Sequence, residues 1–311
     1  MNQKIVLLGG AGLVGQNLVV RLKSRGYSNL IVIDKHKSNL ATLAKLHNTV
    51  VTELADLSQP GSWQNFLKDA HAIVMLQAQI GGNRIDEFEK NNIESTRLVL
   101  ESIDQKEPPY LVHISSSVVE SAANDFYSST KRAQEELVLA SGIPCPVLRP
   151  TLMFGWFDRK HLGWLSRFMR KVPVFPIPGN GRYMRQPLYV TDFCNIIINC
   201  LERRIDSGIY NITGQQKVYY IDIIREIKRV TKSRTAILPI PYRLFALLLT
   251  IWALFDKDPP FTTQQLEALS ADDEFELIDW PGIFGVEPTS FSQAINETFN
   301  DPVYSKIELG F

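Results

Sequence analysis

Through the first 150 residues, apolar runs of strand length alternate with helical patterns, and this alternation constrains the fold more than any other feature. "KIVLLG" leads into a helix from about Leu13 to Ser24, and "NLIVID" follows. A polar helix, "TVVTELADL", another helix and "AIVMLQA" come next. The amphipathic "RIDEFEKNNIESTRLVLESI" then precedes "YLVHIS", and a helix carrying "FYSSTKRAQEE" precedes "PCPVLRP". Repeated strand–helix units of this kind build a parallel sheet with helices on both faces. From about Thr151 the texture turns to proline, aromatics and irregular spacing, which predicts a smaller, loop-rich lobe.

Directly after the first strand, "GGAGLVG" places Gly9, Gly12 and Gly15 at three-residue spacing, with Leu13 and Val14 opening the helix. A turn this tight lets backbone N–H groups approach a pyrophosphate, whose charge then sits at the positive end of the helix. Alone the glycine trio is a weak signal; between a strand and a helix it reads as a dinucleotide turn. The expected class is therefore α/β, a Rossmann-type doubly wound parallel sheet over residues 1–150, with a C-terminal substrate-binding lobe over 151–311. Asp34 ends the second strand, where a carboxylate accepts hydrogen bonds from ribose hydroxyls and repels a 2′-phosphate. NAD is thus expected rather than NADP, although Lys35, His36 and Lys37 follow and supply charge that suits a phosphate. Asp56 and Leu57, after the third strand, read either as an adenine cover or as an acidic helix cap.

Tyr127 and Lys131 stand four residues apart and so project from one helix face. "HISSS" at 113–117 ends the preceding strand, at the carboxyl edge where open α/β sheets bind ligands. A phenol titrates near 10 in water. A neighbouring ammonium and a cationic nicotinamide are expected to lower that value. Tyr127 then exchanges a proton with a substrate alcohol while hydride moves, and Lys131 also binds the nicotinamide ribose.

Gly9-x-x-Gly12-x-x-Gly15, Asp34, Asp56-Leu57, Ser115 to Ser117, Tyr127-x-x-x-Lys131 and "LRP" ending at Pro150 occur in one order. In that order they resemble the extended short-chain dehydrogenase/reductases, specifically the NAD-dependent epimerase/dehydratase group. The resemblance covers nearly the whole chain. It implies that Ser117 bonds the reacting sugar oxygen, with Ser116 as its substitute, and that Arg185 binds a substrate diphosphate. It places Asn92 near the nicotinamide, or else as a brace between helix and strand. "GNGRYMRQPLYVTDF" and "YNITG" resemble segments that return to the first domain, near residues 186–200 and 209–214. A homodimer is a further implication. Departures are visible. Met75-Leu76-Gln77-Ala78 replaces the usual "HLAA", so Gln77 joins the cofactor wall. Only nine residues separate Ser117 from Tyr127, which removes a loop that helps enclose a hexose.

"FGWFDRKHLGWLSRFMRK" at 154–171 should border the pocket, with Trp156 and Arg159 meeting an anionic or sugar group, or else forming a packed amphipathic helix. "YRLFALLLTIWALF" at 242–255 is apolar nearly all round. Such a helix is either buried or faces lipid. At about 21 Å it is too short to cross a bilayer core of about 30 Å. It reads as a core helix or dimer contact, or as a peripheral membrane anchor with Tyr242, Arg243, Trp252, Phe255 and Lys257 near headgroups. Within the resemblance, an apolar helix here is shared with enzymes acting on membrane-bound substrates.

The remaining signals exclude. Thirty-three basic and 33 acidic side chains cancel, so no basic field favours nucleic acid. Cys145, Cys194 and Cys200 form no paired motif, which suits buried thiols in a reducing compartment. The histidines and carboxylates form no ligand-spaced cluster, so no metal is expected. The amino terminus runs straight into a strand without signal-peptide features. The expected location is cytoplasmic, or peripheral on the cytoplasmic membrane face. Together these readings give an NAD-dependent carbon-4 epimerase acting on a nucleotide-linked or polyprenyl-diphosphate-linked sugar. A ketosugar reductase or 3β-hydroxysteroid-type dehydrogenase is the alternative, and a non-catalytic cofactor-binding assembly protein a weaker one.

Overall fold

The computed structural model describes residues 2–121, 125–255, 263–270 and 275–310. Seven strands form its central sheet: β1 (Ile5–Leu8), β2 (Leu30–Asp34), β3 (Val51–Leu54), β4 (Ala72–Met75), β5 (Tyr110–Ile114), β6 (Pro146–Pro150) and β7 (Gly208–Ile212). Their spatial order is β7-β6-β5-β4-β1-β2-β3, and every neighbouring pair is parallel. The order reverses beside β1, which makes the crevice above β1 and β4 the switch point of the sheet.

The strands form because alternate residues find separate apolar layers. Ile5, Leu7, Val32, Val74 and Val112 pack on one face against α1 (Leu13–Ser24) and the helix Val190–Arg203, through Leu18, Leu22, Phe193 and Ile197. Val6, Leu8, Ile33, Ile73 and Leu111 face the other layer, closed by Trp63, Leu67, Val99, Leu100 and Val138. With both faces covered, the inner strands read as continuous apolar runs. Strand β3 lies at the edge, and Val51 and Leu54 are exposed there.

The second lobe has its own core, in which Phe154, Phe175, Ile177, Tyr189, Ile224, Ile227 and Ile295 converge. Val174–Pro178 pairs in parallel with Ala236–Ile240, and the chain then enters α2 (Tyr242–Phe255) after Pro241. No residue of 242–253 is buried, so the core-helix reading of this segment does not hold. Leu247 and Trp252 are 54% and 52% exposed, on different sides of the helix. Lys257, grouped with this helix on sequence grounds, lies outside the described residues. No helix among the described residues is long and apolar enough to cross a membrane.

Candidate active site

A cleft of about 580 Å³ opens over the carboxyl ends of β1, β2, β4 and β5. Its floor is the glycine turn. A Cβ on Gly9, whose φ is +70°, would sit 2.5 Å from the Gln77 Cα, so that site admits no side chain. At Gly15 a Cβ would meet the Gly10 carbonyl oxygen at 2.2 Å, which is why α1 can pack so closely on the turn. Gly12 differs: a Cβ there would meet only the Gly9 oxygen, at 3.9 Å, so this side of the turn is open to the cleft. Leu13 and Val14 line the same wall at the N-terminus of α1, where backbone N–H groups and the helix dipole favour an anion.

Asp34 is 6% exposed and is fixed by two backbone donors, Ala11 N at 2.9 Å and His36 N at 3.0 Å. It lines the cleft beside Lys35, whose ammonium donates to the Asn91 side chain at 2.8 Å rather than standing ready for a phosphate. Asp56 and Leu57 border the same end. Burial alone would raise the Asp56 carboxyl, but hydrogen bonds from Lys90 and Ser58 outweigh it and hold it at about 2. Gln77 forms the wall beyond β4, with Nε2 on Thr96 and a buried Oε1 that has no partner among the described residues. An orphaned acceptor, an open glycine face and a buried carboxylate in one groove are what a dinucleotide requires. Pro150 completes the lining.

Asn92 departs from the expected cofactor contact. It is fully buried, accepts from Gln79 N at 2.6 Å and donates to the Thr130 hydroxyl at 3.0 Å. It therefore braces the loop after β4, and Asn91 is the neighbour that lines the cleft. The reason is local: residues Glu89–Glu94 form a π-helical turn, whose extra residue re-aims the side chains.

At the other end of the cleft, α3 (Phe126–Ala140) begins at Asp125, whose carboxylate caps Ser128 N at 2.7 Å. The cap fixes the first turn and with it Tyr127. Ser116 and Ser117 both line the cleft with Tyr127; Ser116 is the hydroxyl that acts on the phenol's titration, and Ser117 starts the next short helical turn. Burial raises the Tyr127 phenol above its ordinary value, the nearby Ser116 hydroxyl opposes that rise, and Asp125 adds to it. The expected lowering of the phenol is absent from the protein alone.

Lys131 explains this. It is 1% exposed, with Nζ donating to the Ile114 carbonyl at 3.0 Å and to Gln134 Oε1 at 2.5 Å. Burial lowers its ammonium to about 7 against the attraction of Glu135. Two of its three protons are committed to these acceptors, and the third is available to a further one. His113 beside it is buried and held well below its usual value, first by burial and then by Lys131, so it adds no second charge.

Two substrate-lobe candidates are placed elsewhere. Trp156 does not line the cleft: it is 5% exposed, packs at a tilt on Tyr304 with ring centroids 4.7 Å apart, and donates to the Glu297 carbonyl. Large aromatics serve cores as readily as sugars, and here the core claims the ring. Arg185 also lies outside the lining, its guanidinium donating to the carbonyls of Met184 and Leu269. Arg159 does line the cleft, together with Lys160 and His161. Their loop is pinned by the buried Asp158 carboxylate, which accepts from Lys160 N, His161 N and Gly163 N at 2.9–3.0 Å. Sequence reasoning missed Phe275 and Leu309, which reach the cleft from far along the chain. Among the described residues no group of metal-ligating side chains exists.

The family described as "NAD dependent epimerase/dehydratase family" matches residues 5–213. This chain belongs to that family. A dTDP-glucose 4,6-dehydratase of Xanthomonas campestris pv. campestris is 24% identical over 267 residues, covering 71% of this chain and 74% of that one. A UDP-N-acetyl-alpha-D-glucosaminuronate decarboxylase of Bacillus cytotoxicus is 20% identical over 271 residues, covering 78% and 84%. Among solved structures, UDP-glucuronic acid 4-epimerase from Bacillus cereus in complex with NAD superposes with a TM-score of 0.73 at 19% identity, covering 96% of this chain and 98% of that chain. These likenesses agree with the Rossmann-type sheet, and they span several reactions.

Proposed function

We propose that the protein is an NAD-dependent sugar epimerase that works by transient oxidation at carbon 4. One observation carries the reading: Tyr127, Ser116 and Ser117 line the same cleft as the open glycine turn, Asp34 and Lys131. NAD, when bound, supplies the hydride acceptor and donor. The Gly9–Gly15 turn would hold its pyrophosphate, Asp34 its adenosine ribose, and Lys131 its nicotinamide ribose. Tyr127 takes the proton of the sugar hydroxyl and gives it back, while Ser116 fixes the hydroxyl's position against the phenol. A pyridinium and a protonated Lys131 together offset the rise that burial imposes on the phenol. A dehydratase reading is less supported, because an elimination needs a second acid–base pair. The place after the serines reads Val118-Val119-Glu120, and Glu120 is engaged by Arg149 and Asn211.

The test is release of cofactor from purified, denatured protein followed by a screen of nucleotide- and lipid-linked hexoses for epimerised product. Stoichiometric NAD and a product that differs only at one carbon support the reading. A protein that emerges empty and oxidises added NADH against a ketosugar is instead a net reductase.

The exposed apolar helix α2 favours a lipid-linked carrier as a second reading. Phe245, Ala246 and Leu249 are half-buried on one face, while Leu244, Leu247, Leu248, Ile251 and Trp252 are exposed, an apolar surface that suits a bilayer interface. Wild-type protein should float with anionic liposomes, and Leu247→Asp should abolish flotation. A wild type that stays at the bottom of the gradient would leave the nucleotide-linked sugar as the substrate.

A further inference from the structure

We infer that residues 304–310 form a strap across the adenosine end of the groove and set how fast a bound dinucleotide leaves. The inference rests on the dinucleotide reading of the cleft. Tyr304 anchors the segment by packing on Trp156 and Phe157, at ring distances of 4.7 and 5.8 Å. Leu309 is 6% exposed and lines the groove itself, against the apolar cluster that includes Leu13 of the glycine-turn helix. Gly310 closes the strap with a two-point latch on Asn39: its N–H donates to Oδ1 at 2.8 Å, and its carbonyl accepts from Nδ2 at 3.1 Å. Asn39 lines the groove and is itself held by Gln16, which donates to its backbone oxygen at 3.0 Å. A Cβ on Gly310 would approach the Ser38 hydroxyl to 2.9 Å, a rotatable group that can turn aside, so the position accepts the substitutions used below.

The strap also connects to a second loop that lines the cleft. Glu308 pairs with Arg167 at 3.4 Å, and the Arg167 guanidinium donates to the carbonyls of Asp158 and Arg159. One short segment therefore ties the adenosine wall to the loop that presents Arg159, Lys160 and His161. An enzyme that returns hydride to its own substrate gains from a cofactor that does not leave between turnovers, and a latched strap provides this. Opening it requires breaking both Asn39 bonds and withdrawing Leu309, with no change in the turn or in Asp34.

The experiment loads the full chain with NADH, chases it with excess NAD and follows loss of bound-NADH fluorescence. Asn39→Cys paired with Gly310→Cys gives a strap that oxidation locks; the native cysteines are all buried and do not compete. Release should slow at least tenfold when the pair is oxidised and recover on reduction. Gly310→Pro removes the donor to Asn39 and should speed release about tenfold, with the thermal unfolding midpoint unchanged within a few degrees. Release rates equal within a factor of two across all of these forms overturn the strap while leaving the dinucleotide reading intact. A wild type that binds no NADH overturns both.

Discussion

Replacing Lys131 by methionine separates what the residue costs the fold from what it does in the reaction. The ammonium titrates at 10.5 when solvated and at about 7 in the folded protein, where burial is the dominant cause. Each pKa unit corresponds to about 1.4 kcal/mol, so below pH 7 the folded state bears about 5 kcal/mol for keeping this group charged. Methionine removes that term and leaves the Ile114 carbonyl and Gln134 Oε1 without their donor, a loss of about 1–2 kcal/mol each. The variant should therefore be more stable than wild type by about 1–3 kcal/mol at pH 6. The folded pKa lies below the unfolded one, so the unfolded chain binds more protons between pH 7 and 10.5, and wild-type stability rises with pH across that window. Above pH 7 the difference should shrink by about 1.4 kcal/mol per pH unit and change sign between about pH 8 and pH 9. Urea unfolding of cofactor-free protein at pH 6, 8 and 9.5 measures it, alongside turnover, which Lys131→Met should abolish. A stability difference that is flat with pH would show that the ammonium is not held dry, and the account of its proton would be wrong.

Tyr127→Phe should lower kcat by about 10²–10⁴-fold, the range for a lost acid–base group, while NAD remains bound in stoichiometric amount; kcat and cofactor content measure the two. Ser116→Ala should reduce kcat at least tenfold more than Ser117→Ala, since Ser116 is the hydroxyl that acts on the phenol's titration; a larger loss in Ser117→Ala would give that role to Ser117. Gly15→Ala should destabilise the protein by about 1–3 kcal/mol, the usual range for overpacking, because its Cβ meets the Gly10 carbonyl oxygen at 2.2 Å. Thermal unfolding without cofactor reads that change.

The sheet was legible because its information is local. Strand residues alternate between two buried layers, and the glycine turn announces itself within seven residues. The Tyr127–Lys131 pair was legible for the same reason, since i and i+4 share a helix face. What escaped was set by long-range competition. Trp156 and Arg185 carry side chains suited to a sugar or a phosphate, but Tyr304, Glu297 and Leu269 claim them through contacts 84 to 148 positions away. Gly310 meets Asn39 across 271 positions, and nothing near either residue signals the meeting. Helix α2 was mistaken in part because apolar character reports a preference for dry surroundings, and the chain itself does not supply them here.

The π-helical turn at Glu89–Glu94 has a consequence for how this fold can change. A π turn holds one residue more than an α turn, so loss of one residue there would return Glu89–Glu94 to α geometry and re-aim the side chains within it while the helix beyond kept its facing. Asn92 would leave Thr130, and a different side chain would face the cleft wall. A single-codon deletion or insertion is thus a discrete switch of cofactor-wall chemistry that leaves strands β4 and β5 in register. Natural variants of this chain that differ by one residue between positions 85 and 101 should differ in cofactor affinity more than their sequence identity suggests.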